Sequence, residues 1–274
     1  MIVVSRGQKD TPYRCLAGTT EREYAYFIPH APGPKSFMRD EDDDEDEDDY
    51  NHPVRSPSGA NWLPCIDGTE RLTMFIAGNP GAGKSYLAKE MIRLLPDDFN
   101  ILLFTALEES DGNFKELGKS RLYKIRMDVD NLSSISLSEI RKRSKNTVLL
   151  FDDVDKIREK DVSDWVFRIM EDALANGRGH EKHDGNGDIH VICTSHALND
   201  YRKTKYTLEN SNYVALFPGS TTRRQLDTLF EKIGLDKSLC TEMLKLGKQG
   251  KIRSIIIHKV APMFIIYGDK IMLI

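Results

Sequence analysis

The sequence of 274 residues lacks any apolar run that approaches the ~20 residues needed to cross a bilayer. The segment Met1–Arg6 lacks the charged and apolar regions of a secretory signal peptide, so we expect no membrane span and a cytosol-like compartment. None of the four cysteines stands in a C-x-x-C pair, which leaves a zinc site without support and favours reduced thiols. No internal repeat is visible, so nothing indicates a repeat architecture.

Three histidines, His180, His183 and His190, are the remaining group that could suggest a metal. They lie in a loop rich in glycine and aspartate and on the predicted strand after it. No cysteine or second spaced pair accompanies them, so we expect a solvated loop rather than a metal site.

Negative charge is concentrated in one block, Asp40–Asp49, which consists of ten consecutive acidic residues. The whole chain carries a formal net charge of −4, and without this block the other 264 residues would carry +6. Because like charges repel one another, the block predicts a solvated, disordered insert. The alternative is a nucleic-acid mimic that competes for a basic surface on this protein or on a partner.

Composition divides the chain into three parts. Residues 1–35 contain short β-like runs, such as Glu23–Ile28, and are predicted to form a small N-terminal β element. Residues 36–69 are predicted to be a linker that contains the acidic insert at 40–49. From residue 70 to residue 274, apolar runs alternate with helical patterns, which predicts one α/β domain.

The apolar runs of residues 70–274 predict a mostly parallel sheet with helices on both faces, because each run is continuously apolar. Phosphate is expected at the C-terminal ends of such strands. The predicted strands are 72–77, 100–104, 122–127, 147–151, 189–194 and 213–217, with short C-terminal strands at 254–258, 263–267 and 270–274. The predicted helices are 84–95, 160–176, 201–209, 221–233 and 236–246.

A phosphate-binding loop follows the first of these strands. Residues 78–85 match G-x-x-x-x-G-K-[ST], in the strand–loop–helix context that supports this motif. Glycines let backbone N–H groups turn toward a phosphate chain, and the helix N-terminus adds positive partial charge. Lys84 is expected to reach the β- and γ-phosphates of ATP, and the Ser85 hydroxyl to bind Mg²⁺. The predicted nucleotide-binding residues are Gly78, Asn79, Pro80, Gly81, Ala82, Gly83, Lys84 and Ser85.

A pair of acids, Asp152 and Asp153, follows the predicted strand 147–151. An apolar strand that ends in aspartate is typical of the Walker B motif, so we assign Asp152 to Mg²⁺. Asp153 then faces the γ-phosphate, where its carboxylate can orient and polarise an attacking water. The alternative is that Asp153 and Asp155 only cap the next helix. An extra strand between the two Walker motifs indicates a RecA-like (ASCE) P-loop NTPase.

Two further segments carry polar side chains that suit nucleotide sensing. Thr194, Ser195 and His196 end the strand after the Walker B strand, where one of them can hydrogen-bond the γ-phosphate or the water. Arg178 follows the predicted helix 160–176 and could reach a neighbouring subunit's γ-phosphate as an arginine finger. Alternatively, His196 caps the following loop, and Arg178 is a surface residue that suits the dipole of the helix it follows.

From residue 70 onward the sequence resembles the genome-packaging ATPases of large double-stranded DNA viruses, the poxvirus-type and mimivirus-type members of the FtsK–HerA class. Besides the two Walker motifs, the matching segments are Phe104–Asp111, Gly177–His180, Thr194–His196, Tyr201–Thr204, Leu216–Pro218, Gly234–Leu235 and Lys259–Met263. The family pattern usually reads Gly-Arg-His, whereas Gly179 intervenes here. The acidic insert and the N-terminal β segment lie outside the match.

The resemblance implies a motor that uses ATP and Mg²⁺ to pump duplex DNA into a capsid, as a ring of identical subunits. It implies capsid or portal components as partners, and a location in the host cytoplasm at the viral factory or in the virion. Arg178 would be the finger that acts in trans, with Arg202 as a second candidate. The basic residues that could contact DNA phosphates are Arg202, Lys203, Lys205, Arg223, Arg224, Lys248, Lys251 and Arg253.

Two other functions use the same loop. One is a P-loop kinase for small molecules, which would need an acceptor pocket and has no need of the second acid, Asp153. The other is an assembly or scaffold protein that binds ATP with little turnover.

Overall fold

The computed structural model describes residues 71–93, 95, 98–106, 114–118, 121–144, 146–179, 187–196, 201–260, 263–267 and 270–273, together with four short strands nearer the N-terminus. The strands are β1 (Ile2–Ser5), β2 (Tyr24–Ala25), β3 (Val54–Arg55), β4 (Trp62–Leu63), β5 (Thr73–Ala77), β6 (Asn100–Thr105), β7 (Leu122–Lys124), β8 (Thr147–Asp152), β9 (Ile189–Ser195), β10 (Tyr213–Leu216), β11 (Ile255–His258), β12 (Phe264–Tyr267) and β13 (Lys270–Leu273). The helices are α1 (Lys84–Arg93), α2 (Val129–Ser133), α3 (Leu137–Arg143), α4 (Lys160–Asn176), α5 (Tyr201–Asn210), α6 (Arg223–Ile233) and α7 (Lys237–Lys248).

Ten strands form one sheet in the order β3-β13-β12-β11-β10-β5-β9-β8-β6-β7. The six strands from β10 to β7 are parallel, and the remaining four pair antiparallel beyond β10. This confirms the predicted α/β fold with a mostly parallel central sheet and C-terminal strands. The strands that precede the Walker A and Walker B motifs are β5 and β8, and β9 lies between them in the sheet although it follows both in the chain. Strands β6 and β7 lie between the two motifs in the chain, but on the far side of β8 in the sheet.

Two hydrophobic layers hold the helices against the sheet. On β5, Phe75 and Ala77 face a layer that includes apolar residues of α2 to α7, whereas Met74 and Ile76 face α1. Strands β5, β8 and β9 are buried along their whole length, which is why apolar residues dominate their sequences. The sheet therefore brings the C-terminal ends of these three strands together at one protected edge.

Two short helices, α2 and α3, were not predicted from the apolar pattern. Each begins with a capping side chain: Asp128 accepts a hydrogen bond from the backbone N–H of Asn131 at 2.9 Å, and Ser136 accepts one from Glu139 at 3.2 Å. The caps satisfy helix N–H groups that have no other backbone partner. The Ser-x-x-Glu pattern at 136–139 is a sequence signal for the start of α3.

Near the N-terminus, β1 pairs with β2 and β4 in a three-stranded sheet, and β3 pairs with β13 at the edge of the main sheet. Two short strands thus lie within the predicted linker 36–69. The acidic insert at 40–49 lies outside the described residues, so its disorder and the three-part division stay predictions. No helix in the described part of the chain is both long and apolar enough to span a membrane.

Candidate nucleotide-binding and catalytic site

The phosphate-binding loop starts where β5 ends, and it is tied to β9. The N–H of Gly78 donates to the carbonyl of Ser195 at 3.2 Å. Gly81 and Gly83 have φ values of 76° and 106°, which residues with a side chain rarely adopt. At Gly78 a Cβ atom would approach Cδ2 of Phe217 to 2.8 Å. Glycine is therefore needed at 81 and 83 for curvature and at 78 for close packing.

Helix α1 directs its first N–H groups toward the loop. The N–H of Leu87 donates to the carbonyl of Gly83 at 2.9 Å, so the N–H groups of residues 84–86 precede the helical hydrogen bonds. Such groups carry positive partial charge and bind anions. The observed loop and helix thus have the form that the motif predicts for holding a phosphate chain.

Lys84 is buried between the loop and the ends of β8 and β9. Its ammonium lies 3.1 Å from Nδ1 of His196, 3.5 Å from the carbonyl oxygen of Asn79 and 3.8 Å from a carboxylate oxygen of Asp153. Burial lowers the pKa of Lys84, and the charge of Asp153 opposes that shift. The ammonium is thus anchored beside the acids, where a phosphate would meet it.

Ser85 and Asp152 form the candidate magnesium site. The Ser85 hydroxyl donates to Oδ1 of Asp152 at 3.0 Å. Two neighbouring ligands of an octahedral Mg²⁺, each at 2.0–2.1 Å, lie about 2.9 Å apart, so this oxygen pair fits the ion. Burial, and then the charge of Asp153, raise the pKa of Asp152. A cation would therefore be favourable at this carboxylate.

Asp153 occupies a different environment, although it is the next residue. Its φ of 52° places it in the left-handed region, which aspartate tolerates better than most residues. Its carboxylate lies 2.9 Å from Nε2 of His196 and 3.1 Å from Nζ of Lys156. Burial opposes ionisation, but the hydrogen bond with His196 and the charge of Lys84 outweigh it and lower the pKa of Asp153. This carboxylate stays ionised and faces the loop.

The three polar residues at the end of β9 have different partners. Thr194 is fully buried; its hydroxyl donates to Asp152 at 2.9 Å and accepts from the N–H of Asp153 at 2.9 Å. The side chain of His196 contacts Lys84 and Asp153. Ser195 instead donates to Asp155 at 3.1 Å, and the N–H of His196 donates to the same oxygen at 2.9 Å. Thr194 and His196 therefore face the phosphate side, and Ser195 faces the turn after β8.

The hydrogen bonds of His196 fix its proton. Because the Lys84 ammonium can only donate, Nδ1 of His196 accepts. Nε2 then carries the proton and donates to Asp153. The imidazole thus connects Lys84 of the loop to Asp153, the candidate catalytic acid.

Arg178 lies far from the loop of its own chain. It follows α4 and precedes β9, whose other end carries Ser195 next to the loop. The seven residues of β9 span about 20 Å at ~3.3 Å each. The backbone carbonyl of Arg178 accepts a hydrogen bond from Arg141 at 2.9 Å, and the side chain of Arg178 is exposed. A finger role for Arg178 thus requires a neighbouring subunit.

Other predicted site residues have mixed outcomes. His180, His183 and the side chain of Arg202 lie outside the described residues. His190 is buried on β9, where its Nδ1 accepts from the N–H of Leu72 at 3.0 Å and its ring meets Phe99 edge-on. His190 is therefore a core residue, because β9 is buried within the sheet and the side chain packs against its neighbours there.

Three residues that contact this site, Asp155, Lys156 and Ser220, were not predicted as site residues from the sequence. Ser220 accepts a hydrogen bond at 2.5 Å from the amide of Asn79, a predicted loop residue, which joins the loop to the segment after β10. Lys156 pairs with Asp153, and Asp155 holds the end of β9. Asp155 and Lys156 lie within four residues of Asp152, so nearness along the chain was the available signal. Ser220 carried no signal, because its contact is with a segment distant in sequence.

The comparison with protein families matches this part of the chain. Residues 74–208 match the model described as "ATPase family associated with various cellular activities (AAA)". The matched span holds most of β5, the phosphate-binding loop, both acids and the end of β9. Residues 74–208 are thus similar to the AAA ATPases, and this similarity supports the prediction of nucleotide binding.

The chain also has similar proteins among viruses. The chain is 29% identical over 243 residues to the uncharacterized protein V3 of the Sputnik virophage, covering 86% of this chain and 89% of V3. The genome packaging NTPase B204 from Sulfolobus turreted icosahedral virus 2, in complex with ATP-gammaS, is 17% identical with a TM-score of 0.44, covering 72% and 96% of the two chains. The cytoplasmic domain of the type VII secretion ATPase EccC from Thermomonospora curvata is 13% identical with a TM-score of 0.40, covering 64% and 22%. The virophage match agrees with the viral resemblance that the motifs indicate.

Proposed function

We propose that this chain hydrolyses ATP and uses the energy to move double-stranded DNA, in the packaging of a viral genome into a capsid. The observation that carries the hydrolytic part is the environment of Asp153. An ionised carboxylate faces the phosphate-binding loop, hydrogen-bonded to His196 at 2.9 Å and 3.8 Å from Lys84. A carboxylate in this position can orient and polarise a water molecule.

Each residue of the site has a distinct role in this proposal. The loop N–H groups and Lys84 bind the phosphates, and Ser85 with Asp152 would hold Mg²⁺. When bound, the ion neutralises charge on the β- and γ-phosphates. Thr194 keeps the two acids apart and oriented. His196 contacts both Lys84 and Asp153. A γ-phosphate bound between Lys84 and Asp153 would therefore change the position of His196.

Arg178 would complete the site of a neighbouring subunit in a ring. It lines a cavity of about 640 Å³ at the sheet edge opposite the phosphate-binding loop, together with Lys205, Lys232 and Lys259. One acid, Glu209, also lines this cavity and lies 3.8 Å from Lys205. The excess of cations over this acid suits the phosphates of a nucleotide presented by another subunit. Arginine fingers contribute about 10³–10⁵ in rate.

The motor part of the proposal is supported by the motif resemblance and by exposed basic side chains. Of the predicted DNA-contacting residues, Arg224, Lys248, Lys251 and Arg253 are exposed, whereas Arg223 and Lys205 form ion pairs within their own helices. The side chains of Arg202 and Lys203 lie outside the described residues. Duplex DNA, capsid components and the location in a viral factory or virion are therefore parts of the proposal.

The test is phosphate release with and without duplex DNA. We expect DNA to stimulate hydrolysis. Asp153→Asn should reduce the rate by about 10²–10⁴, the range of a lost acid–base group, and Lys84→Ala by about 10²–10³, the range of a lost charge-stabilising donor. Asp161→Asn, an exposed acid on α4, is the matched control and should keep the wild-type rate. Phosphate transferred to an acceptor other than water would favour a kinase. Nucleotide binding without turnover would favour a scaffold.

Mixed subunits test the finger. Arg178→Ala removes the residue that acts in trans, and Lys84→Ala removes one that acts in cis, so a mixture contains some sites in which both are intact. We expect the mixture to recover part of the rate, whereas Lys84→Ala mixed with Asp153→Asn should not recover it. If rings form but no mixture regains activity, the trans role of Arg178 is wrong.

A further inference from the structure

Arg253 lies against the phosphate-binding loop, on the segment between α7 and β11. Its Nη2, Cζ and Nε atoms lie 2.9, 3.4 and 3.4 Å from the position that a Cβ atom on Gly83 would take. Three guanidinium atoms at similar distances mean that the plane of the group covers this glycine. Gly83 therefore serves two purposes, because it adopts a φ of 106° and leaves room for the arginine.

Close packing fixes the segment that carries Arg253. At Gly247, near the end of α7, a Cβ atom would approach Cβ of Pro218 to 2.6 Å and the nitrogen of Gly219 to 2.8 Å. The same segment after β10 accepts the hydrogen bond from Asn79. The end of α7, the segment after β10 and the phosphate-binding loop thus form one continuous wall. Arg253 stands on this wall, next to the buried residue Ile252.

The strand order indicates which end of a nucleotide meets this wall. The loop leaves β5, which lies between β9 and β10. Asp153, Thr194 and His196 come from β8 and β9, so the γ-phosphate must lie on that side. The α-phosphate and the nucleoside then lie on the other side, toward β10 and β11. Arg253 immediately precedes β11 and is on this second side.

Arg253 has no carboxylate partner among the residues that the structure describes, and it makes no hydrogen bond or ion pair to them. Its guanidinium lies 5.7 Å from the centroid of the Tyr86 ring, which the ammonium of Lys89 also approaches, to 5.4 Å. Tyr86 is 56% exposed. Its own N–H is among the first three of α1, the groups that precede the helical hydrogen bonds. A guanidinium without a described ionic partner, close to these donors, is suited to an anion.

We infer that Arg253 binds the α-phosphate of the nucleotide, and that the Tyr86 ring positions the guanidinium for this contact. The inference rests on the proposed function, because it takes the loop to bind a nucleoside triphosphate. The α-phosphate keeps its charge while the γ-phosphate is cleaved. Arg253 therefore strengthens the ground state and the transition state alike, which affects KM and leaves kcat unchanged.

The test compares Arg253→Ala with Lys245→Ala in the full chain, without DNA. Both variants remove one exposed cation near the end of the chain, Lys245 from α7, but only Arg253 lies on the loop. A lost hydrogen bond to a charged group corresponds to about a tenfold to hundredfold loss of affinity. We expect this loss for ADP binding, an equal increase in KM for ATP, and a kcat within about twofold of wild type. Lys245→Ala should match the wild type in all three.

Two further variants separate positioning from folding. Tyr86→Phe keeps the ring and should bind ADP like the wild type, whereas Tyr86→Ala should lose several-fold affinity, and thermal unfolding midpoints confirm that each variant is folded. If wild-type protein binds ADP and Arg253→Ala binds it equally well, the inference is wrong and the proposed function stands. If the variant loses affinity only for duplex DNA, Arg253 is a DNA contact instead. If the wild type binds no nucleotide, the proposed function itself fails.

Discussion

The two neighbouring acids should respond in opposite directions when each is changed to asparagine. Asp152 and Asp153 are both buried, with exposed fractions of 1% and 7%. Burial raises the pKa of Asp152, so its folded-state pKa lies above the unfolded value and its charge destabilises the fold at pH 7. The pKa of Asp153 is lowered in spite of burial, so its charge stabilises the fold above the unfolded pKa and this contribution is lost as pH falls.

The magnitudes follow from the contacts. Asp152→Asn keeps an oxygen acceptor for Ser85 and Thr194, and it removes a buried charge next to a second carboxylate. We expect a gain of about 1 kcal/mol in the free energy of unfolding of the nucleotide-free protein. Asp153→Asn weakens the hydrogen bond with His196 and the pairing with Lys84, a loss of about 1.5–3 kcal/mol. The pair with Lys156 adds little, because that side chain is 43% exposed.

The assay is thermal unfolding without nucleotide or Mg²⁺, with phosphate release measured on the same samples. Each kcal/mol corresponds to roughly 2–4 °C in a domain of this size. Asp152→Asn should therefore unfold a few degrees higher and Asp153→Asn several degrees lower, while both lose hydrolysis. Asp164→Asn, an exposed acid beyond the first turn of α4, should move neither quantity. If the two variants shift the midpoint in the same direction, the assignment of opposite charge environments is refuted.

Three more outcomes can be checked. Burial lowers the pKa of His190 to about 4, so between pH 6.5 and about 4 the unfolded state binds a proton that the folded state does not. Up to about 3 kcal/mol of unfolding free energy is therefore lost as pH falls through this range. His190→Gln should reduce this pH dependence, measured by denaturant unfolding at several pH values. Gly247→Ala should lower the unfolding free energy by about 1–3 kcal/mol and weaken ADP binding, because its Cβ displaces Pro218 and Gly219, whereas the exposed Lys248→Ala should do neither. Burial raises the pKa of the Cys193 thiol, so iodoacetamide should modify Cys193 only in denaturant, as peptide mapping would show; modification of the native protein would contradict its placement in the core.

Much of the fold follows from sequence because local patterns and burial agree. The loop at 78–85 and the acids after β8 stand in fixed order relative to apolar strands, and the helix predicted at 160–176 has the bounds of α4. The prediction of β7 was too long, because the alternation of apolar residues continues through Met127, whereas the strand ends at Lys124 and an irregular segment follows it. The helices α2 and α3 were missed because they are short and rely on capping side chains.

The sequence predicts which residues belong to the site better than it predicts the contacts that they make. Sequence placed Thr194, Ser195 and His196 at one strand end without choosing among them, because successive side chains of a strand point to opposite faces and the faces were unknown. The choice depends on Lys84, Asp153 and Asp155, which lie between 40 and 112 residues away. Such contacts are set by strand order, which no local pattern contains.

Helix α4 connects the two acids of one nucleotide site to Arg178, which is proposed to act in the site of a neighbouring subunit. Asp152 and Asp153 stand before it, joined by the 3₁₀ turn Val154–Lys156, and Arg178 follows its C-terminal end. Its 17 residues extend about 25 Å, and its buried face packs into the core through Val166, Ala173 and their neighbours. A packed helix moves as a unit, so a displacement of the acids during hydrolysis would reach Arg178 and hence the neighbouring site. Loosening α4 with Ala173→Gly should therefore reduce DNA-stimulated hydrolysis in the ring more than it reduces ADP binding by single subunits.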